Sequence, residues 1–257
     1  MLLAIDVGNT NIVFAVFKDD KIVGKWRLST DSQRTSDEYA VVLKELMSVK
    51  KIEFSSIDNV IISTVVPQHL YDLKVLCKEY FSCTPLVVGE EGVKIGIEIK
   101  LDRPSEVGAD RVVNAVAAYD LYKCACIVID FGTATTFDVV DGDGNYIGGL
   151  ISPGINLSIE ALHQAAAKLP EIAIKKPDFV IGKNTVSAMQ SGVYFGYLGL
   201  IEGSVERIKE EYGSDMKVVC TGGLASLFFD ATGSIDSMEQ DLTINGLNKI
   251  FNMNSKK

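Results

Sequence analysis

The chain has 257 residues, 47% of them hydrophobic, and a net charge of −9 from 25 basic and 34 acidic side chains. This hydrophobic content supports a substantial core and excludes a chain that is disordered throughout. The negative charge argues against broad binding to nucleic acid or to an anionic membrane, because both select a basic protein surface. No apolar run approaches the roughly 18 residues that a membrane span needs, and residues 1–6 lack a basic leader region.

The cysteines indicate a reducing compartment. There are five, an odd number, and no two of them form a CxxC pair. Cys124 and Cys126 alternate along an apolar run, so we expect both on one face of a strand. Reduced, buried thiols are the expected state, with a disulfide or a metal site as the alternative. We therefore expect a cytoplasmic protein.

The first half of the chain is predicted to form a three-strand meander, then helices and further strands. Apolar patterns predict strands at 2–5, 11–17, 22–28, 60–66 and 86–88, and helices at 36–49 and 68–80. Ser36 is the expected N-cap of the first helix. The Gly-rich stretch 89–103 is expected to carry an irregular strand, and a helix is expected from Pro104 to about residue 122.

The second half repeats this order. Strands are predicted at 126–129, 135–140, 146–152 and 216–221, and Asp141-Gly142-Asp143-Gly144 predicts a hairpin turn. Helices are predicted at 155–168, at 185–212 as one or two helices, at 224–230, and from residue 242 onward. Strands interleaved with helices predict an α/β fold.

The two meanders are similar in sequence, which predicts an internal duplication. An offset of 124 positions gives six identities without a gap, namely Ile5/Ile129, Asp6/Asp130, Gly8/Gly132, Val16/Val140, Asp19/Asp143 and Gly24/Gly148. A second similarity, at an offset of 158, aligns NVIISTVV with KVVCTGGL. Two related lobes, 1–112 and 113–257, are expected around a cleft. The alternative is two unrelated hairpins that share common turn residues.

Each meander places a carboxylate at the end of an apolar strand, just before a glycine turn. Gly8 and Gly132 allow the backbone to approach a ligand closely. Short donors surround them, namely Asn9, Thr10, Asn11, Thr133, Thr135 and Thr136. Backbone N–H groups and small donors of this kind bind phosphate oxygens. Asp6 and Asp130 are candidates for holding cations such as Mg²⁺ or their waters; alternatively, each simply caps a turn.

The Gly222-Gly223 turn is a candidate nucleotide contact. It follows an apolar strand and precedes a helix, and the two glycines would let an adenine or ribose approach the backbone. A plain strand-to-helix turn is the alternative. The sequence contains no GxxxxGK[ST], GxGxxG or G-x-S-x-G, so a P-loop, a dinucleotide fold and a serine hydrolase are not supported.

The helix that links the two halves begins with a second group of candidates. Gly108 and Ala109 are small enough for a ligand to lie against the helix. Asp110 and Arg111 project about 100° apart, so one can act as a base and the other as an anion anchor. The alternative is that Asp110 only stabilises the first helical turn, with Arg111 solvated. The two histidines, His69 and His163, lack metal-ligand partners at usable spacing, and we expect both to be structural or surface residues.

Segments along the whole chain resemble the type III pantothenate kinases, within the superfamily of sugar and acetate kinases, actin and heat-shock ATPases. The segments are DVGNTNIVFAVF, PSEVGADRVVNAVAAY, IDFGTATTFDVV, GGLISPGINLS, AKLP, IGKNT and CTGGLA. The resemblance implies a duplicated two-lobe actin/ribonuclease H-like α/β fold. Each mixed sheet would combine a three-strand meander with parallel strands, flanked by helices, with a cleft between the lobes. It also implies ATP-dependent phosphorylation of pantothenate, the first step of coenzyme A biosynthesis.

The resemblance also implies roles for individual residues. The ATP phosphate loop would be Asp6, Val7, Gly8, Asn9, Thr10, Asn11, Ile12 and Val13, with Asp6 near Mg²⁺. Thr133 would contact the nucleotide, and Asp130 would bind a monovalent cation, K⁺ or NH₄⁺. The pantothenate contacts would be Gly108, Ala109, Asp110, Arg111 and Thr185, with Asp110 as the catalytic base. Relatives form homodimers, so Thr185 would act across the interface.

One departure and two rival functions remain. Many relatives carry Tyr three residues before the Pro of the PxEVGADR run, where this chain has Leu101. One rival is an ATPase of the same fold, acting as a chaperone or a phosphohydrolase. The other is a non-catalytic regulatory homologue, for which we would expect loss of Asp6, Asp110 or Asp130, and all three are present.

Overall fold

The computed structural model of the chain describes residues 1–166 and 169–255. Its strands are β1 (Leu2–Val7), β2 (Asn11–Lys18), β3 (Lys21–Ser29), β4 (Asn59–Thr64), β5 (Leu86–Val87), β6 (Cys126–Phe131), β7 (Ala134–Val140), β8 (Tyr146–Pro153), β9 (Lys217–Gly222) and β10 (Ser237–Met238). Its α-helices are α1 (Ser36–Val49), α2 (Leu70–Phe81), α3 (Ala109–Tyr122), α4 (Ile155–Ala165), α5 (Thr185–Tyr212), α6 (Ala225–Phe229) and α7 (Leu242–Ser255). None of the helices in these described stretches is both long and apolar enough to cross a membrane.

The strands form two five-stranded mixed sheets with the same topology. One has the order β3-β2-β1-β4-β5 and the other, read in the same sense, β8-β7-β6-β9-β10. In each sheet the three meander strands pair antiparallel. The other two strands lie parallel to the first meander strand, which is β1 in one sheet and β6 in the other. The predicted duplicated α/β fold, a meander plus parallel strands in each half, is confirmed.

The chain divides into two units that differ from the predicted division. One unit contains Met1–Glu98, Asp102–Ala117 and Leu242–Lys257, and the other contains Ile99–Leu101 and Ala118–Asp241. The change of unit falls inside α3 after Ala117, whereas the sequence predicted it earlier in the same helix, at 112/113. The final helix α7 joins the first unit because it packs on β1 and β4. Its Thr243 hydroxyl also donates a 2.7 Å hydrogen bond to Asn114 Oδ1 on α3.

The strand register confirms both sequence offsets for the strands that carry the aspartates. Asp6 on β1 pairs with Ser63 on β4, and Asp130 on β6 pairs with Thr221 on β9. These pairs are related by offsets of 124 on the first strand and 158 on the parallel neighbour, as the sequence predicted. The aspartates therefore occupy equivalent positions of the two sheets.

The middle strand of each meander departs from the gapless alignment. Ile5 pairs with Phe14, whereas Ile129 pairs with Phe137, which is an offset of 123 for β2 and β7. Three residues separate the paired Phe131 and Thr135, where four separate Val7 and Ile12. The next turn compensates for this difference. Five residues separate the paired Val140 and Tyr146, where four separate Phe17 and Ile22.

The predicted equivalence of Val16 and Val140 is therefore wrong. Val16 pairs with Gly24 and Val139 pairs with Gly148, so Val139 is the counterpart of Val16. Asp19 and Asp143 lie in turns of different length. The equivalences at Ile5, Asp6, Gly8 and Gly24 remain.

Several element boundaries differ from the predictions for local reasons. Thr35, not Ser36, caps α1, because its side chain accepts from Glu38 N while Glu38 Oε2 accepts from Thr35 N at 2.8 Å. Pro104–Glu106 forms a separate 3₁₀ turn before α3. Residues 89–103 form no strand, only a bridge from Ile99 to Tyr146. Helix α4 ends at Ala165, and residues 167–168 of the predicted helix lie outside the described chain.

Of Cys124 and Cys126, which were expected together in one strand, only Cys126 lies in β6, although the two thiols are close to each other. Cys124 is exposed, whereas Cys77, Cys126 and Cys220 are buried. Burial raises the pKa of each of these three thiols to about 12. They are therefore protonated at neutral pH and pack as small apolar groups.

Candidate active site

Asp6 is the next-to-last residue of β1, and the alternation of side chains along the strand turns it away from the main core. Ile5 and Val7, its neighbours on either side, are buried in the core cluster on one face of the sheet. Asp6 itself is only half-buried, although its Oδ1 is buried. β1 thus places a single carboxylate at the end of the sheet where the chain turns back.

The loop after Asp6 is a tight turn held in place by Thr30, the residue that follows β3. Gly8 N donates to Asn11 O at 3.0 Å. Thr30 then binds the loop twice, with its N–H to Thr10 O at 3.0 Å and its hydroxyl to Gly8 O at 2.7 Å. Of the predicted phosphate-loop residues, Asn9 and Thr10 are exposed, whereas Ile12 is fully buried and can offer only its backbone.

Thr30 was missed by the sequence analysis, since it lies in a connection with no motif of its own. Its counterpart 124 positions on is Gly154, whose N–H donates to Thr133 O at 3.0 Å. A Cβ at Gly154 would lie 2.6 Å from Gly132 O, so only glycine allows this close approach. Both hairpin loops are therefore fixed by the residue that follows the third strand.

The start of α3 lies next to the same end of the first sheet. A Cβ on Gly108 would be 3.4 Å from Val65 Cγ1, and Val65 N donates to Val7 O at 3.1 Å. Val65 thus contacts both Gly108 and the end of β1, so the predicted segment Gly108 to Arg111 lies close to the strand that carries Asp6. Within the first unit, two of the predicted site segments are brought together.

Asp110 is a largely buried carboxylate in the first turn of α3. Burial raises the pKa of its carboxyl, while the Arg111 backbone N–H and the Arg111 charge act in the opposite direction. Its Oδ1 accepts that N–H at 2.8 Å. A raised pKa makes this carboxylate a stronger base than an exposed aspartate.

In the second unit, Asp130 occupies the equivalent position at the end of β6. Gly222, at the end of β9, packs directly against it. With φ at +95°, Gly222 has a left-handed backbone, and a Cβ there would lie 2.6 Å from Asp130 Oδ1 and from Phe131 N and O. Gly222 is therefore required by the packing around Asp130, and Gly223 beside it is exposed.

The threonines of the second hairpin have different functions. Thr133 is exposed at the tip, as a ligand contact requires. Thr135 is buried and donates to Tyr197 Oη, which in turn donates to Pro153 O at 3.0 Å. Thr136 donates to the buried Asp138 at 3.1 Å. Thr135 and Thr136 thus support the hairpin internally, and the sequence analysis missed Tyr197 because it lies far away on α5.

Thr185 is the first residue of α5 and is exposed. Asn184 caps the helix, with Asn184 Oδ1 accepting from Ser187 N at 2.9 Å. Thr185 lines an open groove between α4 and α5, together with Ser158, Leu162 and Met189. Its predicted contact with pantothenate stays a prediction.

The side chains available to cations are few. Among the described residues, no three His, Cys, Asp or Glu side chains are grouped closely enough to hold a metal ion. A cation at Asp6 or Asp130 would therefore take most of its ligands from substrate oxygens, backbone and water, as Mg²⁺ commonly does. His69 is buried with Nδ1 at 3.3 Å from Tyr39 Oη, and His163 Nδ1 lies 2.6 Å from Leu169 O.

Two duplicated meander sheets of this kind are also found in solved structures that include a protein described as a sugar kinase. A solved Campylobacter jejuni protein described as a Baf family transcriptional activator matches with a TM-score of 0.63 at 17% identity over 98% of both chains. A Porphyromonas gingivalis protein described as an N-acetylglucosamine kinase matches with a TM-score of 0.55 at 14% identity over 100% of both chains. At these identities the similarity shows the fold alone.

Sequence comparison identifies the family. The model of the type III pantothenate kinase family matches residues 2–207. The type III pantothenate kinase of Paramagnetospirillum magneticum is 62% identical over 255 residues, covering 99% of this chain and 98% of the relative. The chain belongs to the type III pantothenate kinase family.

Replacement of Gly222 by Ala tests the packing around Asp130. We expect a loss of about 2–5 kcal/mol in the free energy of unfolding, from the left-handed backbone and from the clash with Asp130 and Phe131. Gly213→Ala is the matched control, because Gly213 also has a positive φ, +80°, but no atom lies within 4 Å of its added Cβ. It should cost about 1–2 kcal/mol. Equal losses in urea unfolding of the two variants would contradict the assigned packing.

Proposed function

We propose that this chain transfers the γ-phosphoryl group of ATP to the primary hydroxyl of pantothenate and gives 4'-phosphopantothenate, the first step of coenzyme A biosynthesis. The observation that carries the proposal is the 62% identity to a type III pantothenate kinase over nearly the full length of both proteins. The geometry of each unit supports it, because Asp6 and Asp130 lie at equivalent strand ends and Asp110 lies in the first turn of α3. We also propose a cytoplasmic location, which cell fractionation would check.

We assign ATP phosphate binding to the first hairpin. Asp6, Val7, Gly8, Asn9, Thr10, Asn11, Ile12 and Val13 would form this loop. The two hydrogen bonds from Thr30 keep the loop rigid, so its N–H groups are oriented before ATP arrives. Mg²⁺ near Asp6 would neutralise phosphate charge, and Asp6 would orient it directly or through water.

Asp110 is the proposed catalytic base. Phosphoryl transfer passes through a loose transition state, so the base mainly orients the hydroxyl and accepts its proton late. The buried position and raised pKa of Asp110 suit this task. Gly108, Ala109 and Arg111 would contact pantothenate beside it, with Arg111 offsetting its carboxylate or the moving phosphoryl group.

The second unit would supply the remaining contacts. We assign Thr133 to the nucleotide, and Gly222 and Gly223 to the adenine or ribose. Asp130 would bind a monovalent cation, K⁺ or NH₄⁺, whose charge offsets that of the phosphates. The exposure of Thr133 and Gly223 supports these assignments, and the tight contact of Gly222 with Asp130 would link the nucleotide turn to the cation.

We further propose that the enzyme is a homodimer and that Thr185 serves the site of the partner subunit. The second unit exposes large apolar side chains on its edge strand β8, just before α5 and in the first turn of α5, namely Leu150, Ile151, Phe179, Val180, Ile181 and Val186. Ile151 is 68% exposed and Phe179 is 79% exposed, values that favour burial by another chain. Light scattering should give the mass of a dimer, and Ile151→Asp with Phe179→Asp should give a monomer; a monomeric wild type would contradict the proposal.

Product formation tests the function. With ATP, Mg²⁺ and pantothenate, we expect 4'-phosphopantothenate and ADP in equal amounts, and a strong fall in rate when K⁺ and NH₄⁺ are replaced by Na⁺. Release of ADP without pantothenate would instead support an ATPase of the same fold. Absence of both products, with ATP still bound, would support a regulatory homologue.

Asp110→Asn tests the base. Turnover should fall about 10²-fold or more, because the variant cannot accept the proton, while ATP binding stays unchanged. In the wild type the acid limb of kcat/KM should lie above the ordinary aspartate pKa of about 3.9, since burial raises the pKa of Asp110.

The same substitution has a stability consequence of known sign. Because the folded pKa of Asp110 is raised, its favourable contribution is complete below the unfolded pKa and is lost as pH rises through the folded pKa. At neutral pH the buried charge costs stability, so Asp110→Asn should melt at the same or a higher temperature than the wild type. Near-normal turnover of the variant would remove Asp110 from the role of base. A much lower melting temperature would contradict the predicted cost of burying its charge.

A further inference from the structure

Ser63 on β4 has a buried hydroxyl that the described part of the protein does not satisfy. The side chain is 0% exposed, and its Oγ has no hydrogen-bond partner among the described residues. Buried polar groups are nearly always hydrogen-bonded, and leaving one unpaired costs free energy. A residue such as Ala or Val would fill this strand position at lower cost, so the hydroxyl calls for an explanation.

Ser63 is the direct neighbour of Asp6. The two residues are register partners on the parallel strands β4 and β1. Val60 and Ile62 on β4, like Ile5 and Val7 on β1, face the main core cluster. By alternation Ser63 and Asp6 share the opposite face of the sheet, and paired residues of neighbouring strands lie about 5 Å apart.

The second unit repeats this arrangement. Thr221 on β9 is the register partner of Asp130 and is 2% exposed. An aspartate beside a buried hydroxyl on the parallel neighbour thus occurs at both equivalent strand ends. The equivalent strands NVIIS and KVVCT thus both end in a hydroxyl residue after three apolar residues.

We propose that Ser63 is a positioning residue for Asp6, whose hydroxyl orients the Asp6 carboxylate toward the magnesium–ATP complex. The hydroxyl can rotate about a single bond to donate to that carboxylate. A hydrogen bond of this kind to a charged carboxylate is stronger than one between neutral groups, and it fixes which carboxylate oxygen faces the ligand. This inference rests on the proposed ATP-binding function of the Asp6 loop.

The test compares Ser63→Thr with Ser63→Val. Thr and Val have nearly the same shape and differ by a hydroxyl in place of a methyl, and Thr is the residue at the equivalent position 221. The binding of a non-hydrolysable ATP analogue is measured calorimetrically, with Mg²⁺ and again with EDTA. Melting temperatures without ligand are measured for both variants and for Ser63→Ala.

We expect Ser63→Val and Ser63→Ala to bind the analogue about 10-fold more weakly than wild type in Mg²⁺. Binding in EDTA should be unchanged, and Ser63→Thr should bind as the wild type does. Without ligand, Ser63→Ala should melt at the same or a higher temperature, since in the ligand-free structure the hydroxyl that it loses has no hydrogen-bond partner among the described residues. A structural role alone would lower the melting temperature and leave the Mg²⁺-dependent part of binding intact.

Three results would overturn the inference. They are equal Mg²⁺-dependent binding by Ser63→Val and wild type, an equal loss with Mg²⁺ and with EDTA, and a marked drop in the melting temperature of Ser63→Ala. If the wild type itself fails to bind the analogue, the proposed function fails and this inference fails with it. If the wild type binds the analogue and Ser63→Val binds it equally well, only this inference fails and the proposed function stands.

Discussion

The position of one carboxylate at the end of a buried strand is the constraint on which the rest of the site depends. In both units the aspartate is the next-to-last residue of the strand that pairs with an antiparallel strand on one side and a parallel strand on the other. A central strand cannot slip by one residue without turning its whole apolar set to the wrong face. The core thus fixes where Asp6 and Asp130 project.

The loops next to these strands are less constrained, and the two units use them differently. The first loop has four residues between paired positions and is held by the side chain and backbone of Thr30. The second has three and is held by the backbone of Gly154, which approaches too closely for any side chain. The equivalent strand ends therefore carry loops that differ in length and in the residue that holds them.

Much of this could be predicted from the sequence, because period-two apolar runs and turn residues are local signals. The meanders, the parallel fourth strands and the equivalence of Asp6 with Asp130 were all readable in this way. The one-residue offset of the middle strand was not, since a shorter loop and a longer turn cancel and leave a gapless alignment. Thr35 was missed as a cap because the choice between it and Ser36 depends on where Glu38 returns a hydrogen bond.

The supporting contacts of the site could not be predicted, because they join residues that are far apart in the chain. Tyr197 reaches Thr135 from α5, and the burial of Asp110 depends on how α3 packs near the end of β4. Ser63 looks like any small strand residue until its register with Asp6 is known. Such contacts are set by packing, whereas composition and periodicity report only on which face a residue lies.

We propose that Asp6 acts on ATP through Mg²⁺. The calorimetric affinity of a non-hydrolysable ATP analogue for wild type and Asp6→Asn, across a series of Mg²⁺ concentrations, tests this role. We expect Mg²⁺ to tighten binding to the wild type and this gain to be lost in Asp6→Asn, while metal-free binding is kept or improved. A variant that retains the full Mg²⁺-dependent gain would contradict it.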